Sequence, residues 1–177
     1  IALHNIKAND WEFSTVLSSE DIIGITGADY EEFLEILSLE KLPEGNININ
    51  ENEVTSENYL EYYQQISFIK KEFTKMNYLN TVKEHMDYII NYYHLQIKNI
   101  EKKEKDSLKI VGLDETLLNR NITTLSKSEK KKVELAIGLL SNPDIIILDD
   151  PFRFLDNKSR KRMIMVLRKL KEQFHKL

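Results

Sequence analysis

Cysteine is absent from the 177 residues, which excludes disulfides and thiolate metal sites and is compatible with a reducing compartment. No apolar run approaches the length of a membrane span, and no secretory signal appears in these residues. A surplus of positive charge is missing too. The 25 basic residues against 29 acidic ones leave a net charge of −4, so nothing in the balance points to nucleic acid. Glycine is scarce, with 5 residues, two of which, Gly24 and Gly27, fall close together. What is present is ordinary for a globular protein: 41% hydrophobic and 31% charged residues, and enough length for one domain with a real core. The chain opens on Ile1 rather than Met, as a trimmed or engineered piece would.

The organising stretch is Leu125 to Asp156, LSKSEKKKVELAIGLLSNPDIIILDDPFRFLD. Ser126 and Glu129 have the spacing of a capping box that opens a helix. Val133, Leu135, Ile137, Leu139 and Leu140 continue it with apolar positions at helical intervals. Ser141-Asn142-Pro143-Asp144 reads as a turn, and Ile145 to Leu148 as a short strand buried on both faces. That strand delivers Asp149 and Asp150 to its C-terminal end, where open α/β sheets bind ligands.

Elsewhere, Ile1 to Lys7 and Trp11 to Leu17 alternate as two strands around a turn at Asn9-Asp10. Ile22 to Thr26 and Ile66 to Ile69 read as further buried inner strands, and Asn46 to Asn50 as another strand. Asn52 to Glu57 reads as loop. Phe33, Leu34, Ile36 and Leu37 make the face of a short helix. Thr81 and Glu84 form a second capping box, ahead of a helical stripe of Val82, Met86, Ile89 or Ile90, Tyr93 and Ile97. The mixed-charge run from Lys98 to Lys105 is expected to be the solvated start of a helix. Lys127, Lys130, Lys131 and Lys132 are expected to be a wet helix face rather than a phosphate or nucleic-acid patch. Asn157 would cap a last helix bearing Met163, Leu167, Leu170 and Phe174.

An LSxxx helix followed by Asn-Pro-Asp, four aliphatics, Asp-Asp-Pro and Leu-Asp at these intervals resembles the core of an ATP-binding-cassette (ABC) ATPase domain. The resemblance sets Leu125-Ser126-Lys127-Ser128-Glu129 at the family's LSGGQ signature, Ile145 to Asp150 at the Walker B strand and Phe152 to Asp156 at the D-loop. It implies that Asp149 holds Mg²⁺ through water and that Asp150 stands at the catalytic glutamate, one methylene shorter. It also implies nucleotide contacts at Gly24, Gly27, Ser126, Lys127 and Ser128. Several residues keep two readings. Trp11 and Phe13 either stack on adenine or pack into the first sheet, and Ser126 with Glu129 either meets nucleotide or only caps a helix. Tyr88, Tyr92, Tyr93 and His94 either pack or receive the coupling helix of a membrane protein.

Against the family pattern several pieces are changed. A bound triphosphate needs a nest of backbone N–H groups, a lysine and a Mg²⁺-binding hydroxyl. After Gly27 the chain reads Ala28-Asp29-Tyr30-Glu31-Glu32-Phe33-Leu34, with no Gly-Lys-Ser/Thr. Asp29, Glu31 and Glu32 would set negative charge against phosphate, each pair at about 4 Å costing about 1 kcal/mol in water and about 4 kcal/mol at an effective dielectric of 20. Lys71 occupies the place of the Q-loop glutamine, and an ammonium cannot coordinate Mg²⁺. His175 has no apolar strand before it, so the last core strand and the switch histidine are expected to be missing.

The expected fold is therefore α/β, a P-loop NTPase-like three-layer domain with a mainly parallel central sheet, a small antiparallel N-terminal sheet and a helical lobe. One domain is expected over residues 1–177, its helical lobe over about 81–118. The expected role is a degenerate nucleotide-binding subunit of a membrane transporter, with ATP and Mg²⁺ as the cofactors of the family and little or no hydrolysis of its own. Its expected partners are a transmembrane subunit and a second ABC ATPase domain, identical or not, at the cytoplasmic inner face of a membrane. Two alternatives stand beside it: a non-catalytic interaction or regulatory protein on the same scaffold, and an active ATPase with unusual loops.

Overall fold

The computed structural model describes residues 1–8, 11–18, 22–27, 30–71, 79–153 and 155–174. The turn expected at Asn9-Asp10, the acidic Asp29, and His175 lie outside them. The chain divides into two compact units, Ile1–Ile66 and Ser67–Leu177.

In the first unit, β1 (Ala2–Ala8), β2 (Trp11–Val16), β3 (Glu44–Ile49) and β4 (Asn52–Glu53) form an antiparallel sheet in the order β2-β1-β3-β4. The small antiparallel sheet expected at the start of the chain is present, and β4 takes the start of the stretch read as loop. Strict alternation would send Leu3 and Ile6 to opposite faces. An irregularity around Asn5, whose φ is +50°, turns both into the core, where each is 0% exposed. The same kink brings the Asn5 backbone against Gly45, which has φ +110°. A Cβ there would lie 2.8 Å from the His4 carbonyl oxygen and nearer still to that of Asn5, so only glycine fits. After the glycine turn, α1 (Tyr30–Leu37) buries Leu34, Ile36 and Leu37. Phe13 of β2 meets Phe33 of α1 with ring centroids 5.0 Å apart, an aromatic pair. The stretch before Ile66 becomes α2 (Tyr59–Tyr63).

Ile22 to Thr26 does not form the inner strand that its β-branched composition suggests. It has no regular structure, and Ile22 and Ile23 are 60% and 45% exposed. A strand exists only where a neighbour accepts from its N–H groups and donates to its C=O groups, and among the described residues none pairs with this run.

β5 (Ile66–Ile69), which from Ser67 on belongs to the second unit, pairs with β6 (Ile145–Leu148). The Asp149 N–H donates to the Ile69 carbonyl at 2.9 Å, so the carboxyl ends of the two strands lie side by side, as in a parallel pair. Between them come α3 (Val82–Tyr92), α4 (Ile100–Ile110), two short 3₁₀ turns and α5 (Lys127–Gly138), and α6 (Asn157–Phe174) follows. The Thr81–Glu84 capping box forms as the spacing predicts. The helix ends at Tyr92, short of Tyr93 and Ile97 in the expected stripe, and His94 at φ +50° takes the chain out of it. Asp156 rather than Asn157 caps α6, accepting the Ser159 N–H at 2.7 Å.

One apolar cluster joins Ile69 of β5 to Met86, Leu108, Val133, Met163 and Leu170 of the helices around it and to Leu140 in the turn after α5. The mixed-charge run is not all solvated. Glu104 of α4 is 0% exposed and meets the Lys83 ammonium of α3 at 3.3 Å, which also holds Asp87 at 3.0 Å. Burial, opposed by Lys83, pushes the Glu104 carboxyl above its ordinary value.

Replacing Gly45 by alanine combines positive-φ strain, about 1–3 kcal/mol, with a backbone collision. The expected loss in urea titration is therefore at least about 2 kcal/mol. An unchanged midpoint would show that the Asn5 kink relaxes freely.

Candidate functional site

The carboxyl end of β6 presents Asp149, which is 6% exposed. Its Oδ2 accepts the Lys71 N–H at 3.3 Å, while its Oδ1 is buried with no hydrogen-bond partner. An unsatisfied buried carboxylate oxygen is costly, and a cation or its hydration water is the usual remedy. Among the described residues no cluster of three or more His, Asp or Glu side chains could hold a metal. A cation here would therefore keep most of its water, as Mg²⁺ does on one or two carboxylates. Asp150 follows, exposed, with φ +42° and its carbonyl accepting the Arg153 N–H at 3.1 Å. Aspartate tolerates the left-handed region better than most residues. The shorter carboxylate thus suits the backbone built at this position.

At the start of α5 the two readings of Ser126 become concrete. Ser126 is the N-cap: its Oγ accepts the Glu129 N–H at 3.2 Å, and its hydroxyl and N–H each donate to Glu129 Oε2 at 2.8 Å. Arg120 lies 3.4 Å from the other Glu129 oxygen. Lys127 is exposed and Ser128 half-buried beside it.

The expectation of a wet lysine face holds for Lys127 and fails for Lys131 and Lys132, which are 7% and 8% exposed. The Lys131 ammonium donates to the Lys70 carbonyl and lies 3.4 Å from Glu134. Sequence reasoning missed Lys131, although a signal was available. It stands four and eight residues before Leu135 and Leu139, on the buried stripe of the helix.

Gly24 and Gly27 lie in the first unit, with no atom within 4 Å of where a Cβ would stand on either. Gly27, at φ +141°, needs to be glycine for its backbone alone. The helix begins three residues later at Tyr30. Of the expected acidic charges, Glu32 is not left facing outward. Its carboxylate pairs with the Lys41 ammonium, which folds back along α1. That pair also commits Lys41, one of two basic residues (with Lys7) among the fourteen acidic ones of residues 1–66. The turn has no lysine of its own. Ser126 to Ser128, Asp149 and Asp150 belong to the second unit. Among the described residues no helix is long and apolar enough to cross a membrane.

Residues 22–153 match the sequence model of the family described as "ABC transporter". The chain is 30% identical over 144 residues to the molybdate/tungstate import ATP-binding protein WtpC of Pyrococcus abyssi, covering 81% of this chain and 41% of that protein. It is 32% identical over 157 residues to the energy-coupling factor transporter ATP-binding protein EcfA2 of Leuconostoc mesenteroides, covering 85% and 55%. The chain thus spans about half the length of these relatives. Among solved structures it is similar to the dimeric post-hydrolysis state of the ATP-binding cassette MJ0796 of Methanocaldococcus jannaschii, bound to ADP and Pi. There the TM-score is 0.78 with 22% identity, over 97% of this chain and 83% of that one. At that identity the likeness shows the fold alone, the P-loop NTPase fold of these cassettes.

The capping box carries a pH signature. The Glu129 carboxyl is held below its ordinary value of 4.5, first by the Ser126 N–H and then by the Ser126 hydroxyl, with burial opposing and Arg120 assisting. A depressed folded value means that the box contributes in full above the unfolded value and is lost as pH falls through the folded one. Ser126→Ala should cost about 1 kcal/mol near neutral pH. The stability gap between the native chain and Glu129→Gln should close as the pH is lowered well below 4.5. A gap constant from neutral to strongly acidic pH, measured by urea titration, would show that the carboxylate's charge plays no part.

Proposed function

The chain belongs to the ABC transporter family, and from that premise we propose that it is a degenerate nucleotide-binding subunit of a membrane transporter, with little or no ATP hydrolysis of its own. The observation that carries this reading is the turn after Gly27. It has no Gly-Lys-Ser/Thr, its helix carries Glu31 and Glu32, and the lysine that comes back to it, Lys41, is engaged by Glu32. ATP would then be held, if at all, beside a competent second ABC ATPase domain. A transmembrane subunit would anchor the pair at the cytoplasmic face of the membrane. In this reading residues 1–177 act as one domain whose helical lobe lies over about 81–118.

The site roles follow the same reading. Asp149, with its unpartnered Oδ1, is the group fit to hold Mg²⁺ through water. Asp150 stands for the base, with a reach one methylene short, and misplacement of a base by about 1 Å costs on the order of a hundredfold. Gly24 and Gly27 mark the former phosphate turn, and Ser126, Lys127 and Ser128 the half-kept signature. A second reading, a non-catalytic interaction or regulatory protein on this scaffold, draws support from Ser126, whose hydroxyl and N–H are both spent on the helix cap.

The isolated chain is expected to show no phosphate release above background in a steady-state assay, and no saturable heat when titrated with Mg-ATP. Turnover that disappears in Asp149→Asn would overturn the proposal in favour of an active ATPase with unusual loops. Binding that appears only when a competent cassette is added supports the paired subunit. Absence of any nucleotide effect in the complex leaves the scaffold reading.

A further inference from the structure

The Lys70 carbonyl and the Lys71 N–H belong to the same peptide group, directly after β5. Two buried side chains grip that group from opposite sides. The Lys131 ammonium of α5 donates to its carbonyl, and Asp149 Oδ2, after β6, accepts from its N–H at 3.3 Å. The chain of contacts runs cation, peptide dipole, carboxylate, each polarising the next in surroundings where both charged residues are under 10% exposed. Rotating the peptide by half a turn would aim its N–H at the ammonium and its carbonyl at the carboxylate, so both neighbours oppose the flip. A third tie fixes the other end of the helix. A Cβ on Gly138 would fall well inside contact distance of Ser67 Oγ and 3.2 Å from Ile69 Cδ1, so α5 lies directly on β5 there. The two ties are matched in length. Seven helical residues from Lys131 to Gly138 span about 10 Å at about 1.5 Å each, and three strand residues from Ser67 to Lys70 span about 10 Å at about 3.3 Å each.

We infer that Lys131 is a positioning residue for Asp149. Acting through the Lys70–Lys71 peptide, it fixes Oδ2 in place and leaves Oδ1 as the oxygen turned to a ligand, so the seating of α5 on β5 sets the orientation of that carboxylate. This rests on the reading that Asp149 takes a hydrated divalent cation, and it adds a residue of α5 to the control of that site. Displacing α5 from β5 would release the peptide and let the carboxylate turn. Lys132, equally buried one residue on, makes no such contact in the structure and serves as the control.

The test uses the full chain labelled with ¹⁵N, with hydrogen exchange of the Lys71 amide as the first readout and Mn²⁺ broadening of amides around Asp149 as the second. Lys131→Met keeps length and loses charge, and should speed Lys71 exchange tenfold or more while leaving amides in β1 and β3 unchanged. Asp149→Asn should also speed it, and the double variant should do little more than either single one, because both act on one hydrogen-bonded peptide. Lys132→Met should leave Lys71 as in the native chain, and Lys131→Arg should restore part of its protection. Unchanged Lys71 exchange in Lys131→Met, or equal acceleration in Lys132→Met, would overturn the inference. Mn²⁺ broadening that is present in the native chain and weaker in Lys131→Met supports the link to the cation. Coupled exchange without any Mn²⁺ broadening upholds the positioning role while sinking the cation reading of Asp149, so the two failures are distinct.

Discussion

The peptide between Lys70 and Lys71 is the point on which the second unit depends. β5 and β6 are four residues each, too short to hold a site by ladder bonds alone. Their carboxyl ends are locked by Asp149, whose N–H bonds back to β5 and whose carboxylate holds the next peptide of the same chain. α5 closes the arrangement from above, with Lys131 at one end and Gly138 at the other. A buried ammonium and a buried carboxylate would each be costly alone. Set on the two ends of one peptide dipole, each helps to satisfy the other, and Glu134, 3.4 Å from the Lys131 ammonium, adds a further partner.

That lock explains how the unit holds its architecture through contacts of its own. The residues that hold α5 and β6 together serve packing and hydrogen bonding first: the Ser126–Glu129 box begins the helix, Gly138 lets it lie on β5, and Ile147 fills the core. None of these tasks needs a nucleotide. The turn after Gly27 has different duties. Its glycines have open space around them, its helix supplies acidic residues to its own N-terminal end, and its lysine is engaged by one of them.

Charge is distributed along the same division. Residues 1–66 are strongly acidic, with only Lys7 and Lys41 against fourteen carboxylates, while most of the lysines and all the arginines lie beyond them. The net charge of −4 conceals this contrast. At the start of α5, Lys127 is exposed and Lys130 half-buried.

The sequence by itself determined the elements whose signals are local. The two capping boxes, the β-branched runs of β5 and β6, the turn at Asn142-Pro143 and the pairing of β1 with β2 each follow from neighbours within a few residues, and each formed. The family resemblance rested on the same local runs and their intervals. Tertiary structure decided what depends on distant neighbours. Ile22 to Thr26 has the composition of a strand, but a ladder needs a second chain segment and none lies beside it among the described residues. Glu104 and Lys131 sit in charge-rich runs that look solvated, yet their partners, Lys83 on another helix and the Lys70 carbonyl 61 positions away, draw them inside. The Asn5 kink, which sends Leu3 and Ile6 to one face, needs a bare Gly45 from β3 across from it. A charged side chain carries no mark in the sequence of whether water or a distant carbonyl will satisfy it, because that choice is made by whichever surface the fold brings within about 3 Å.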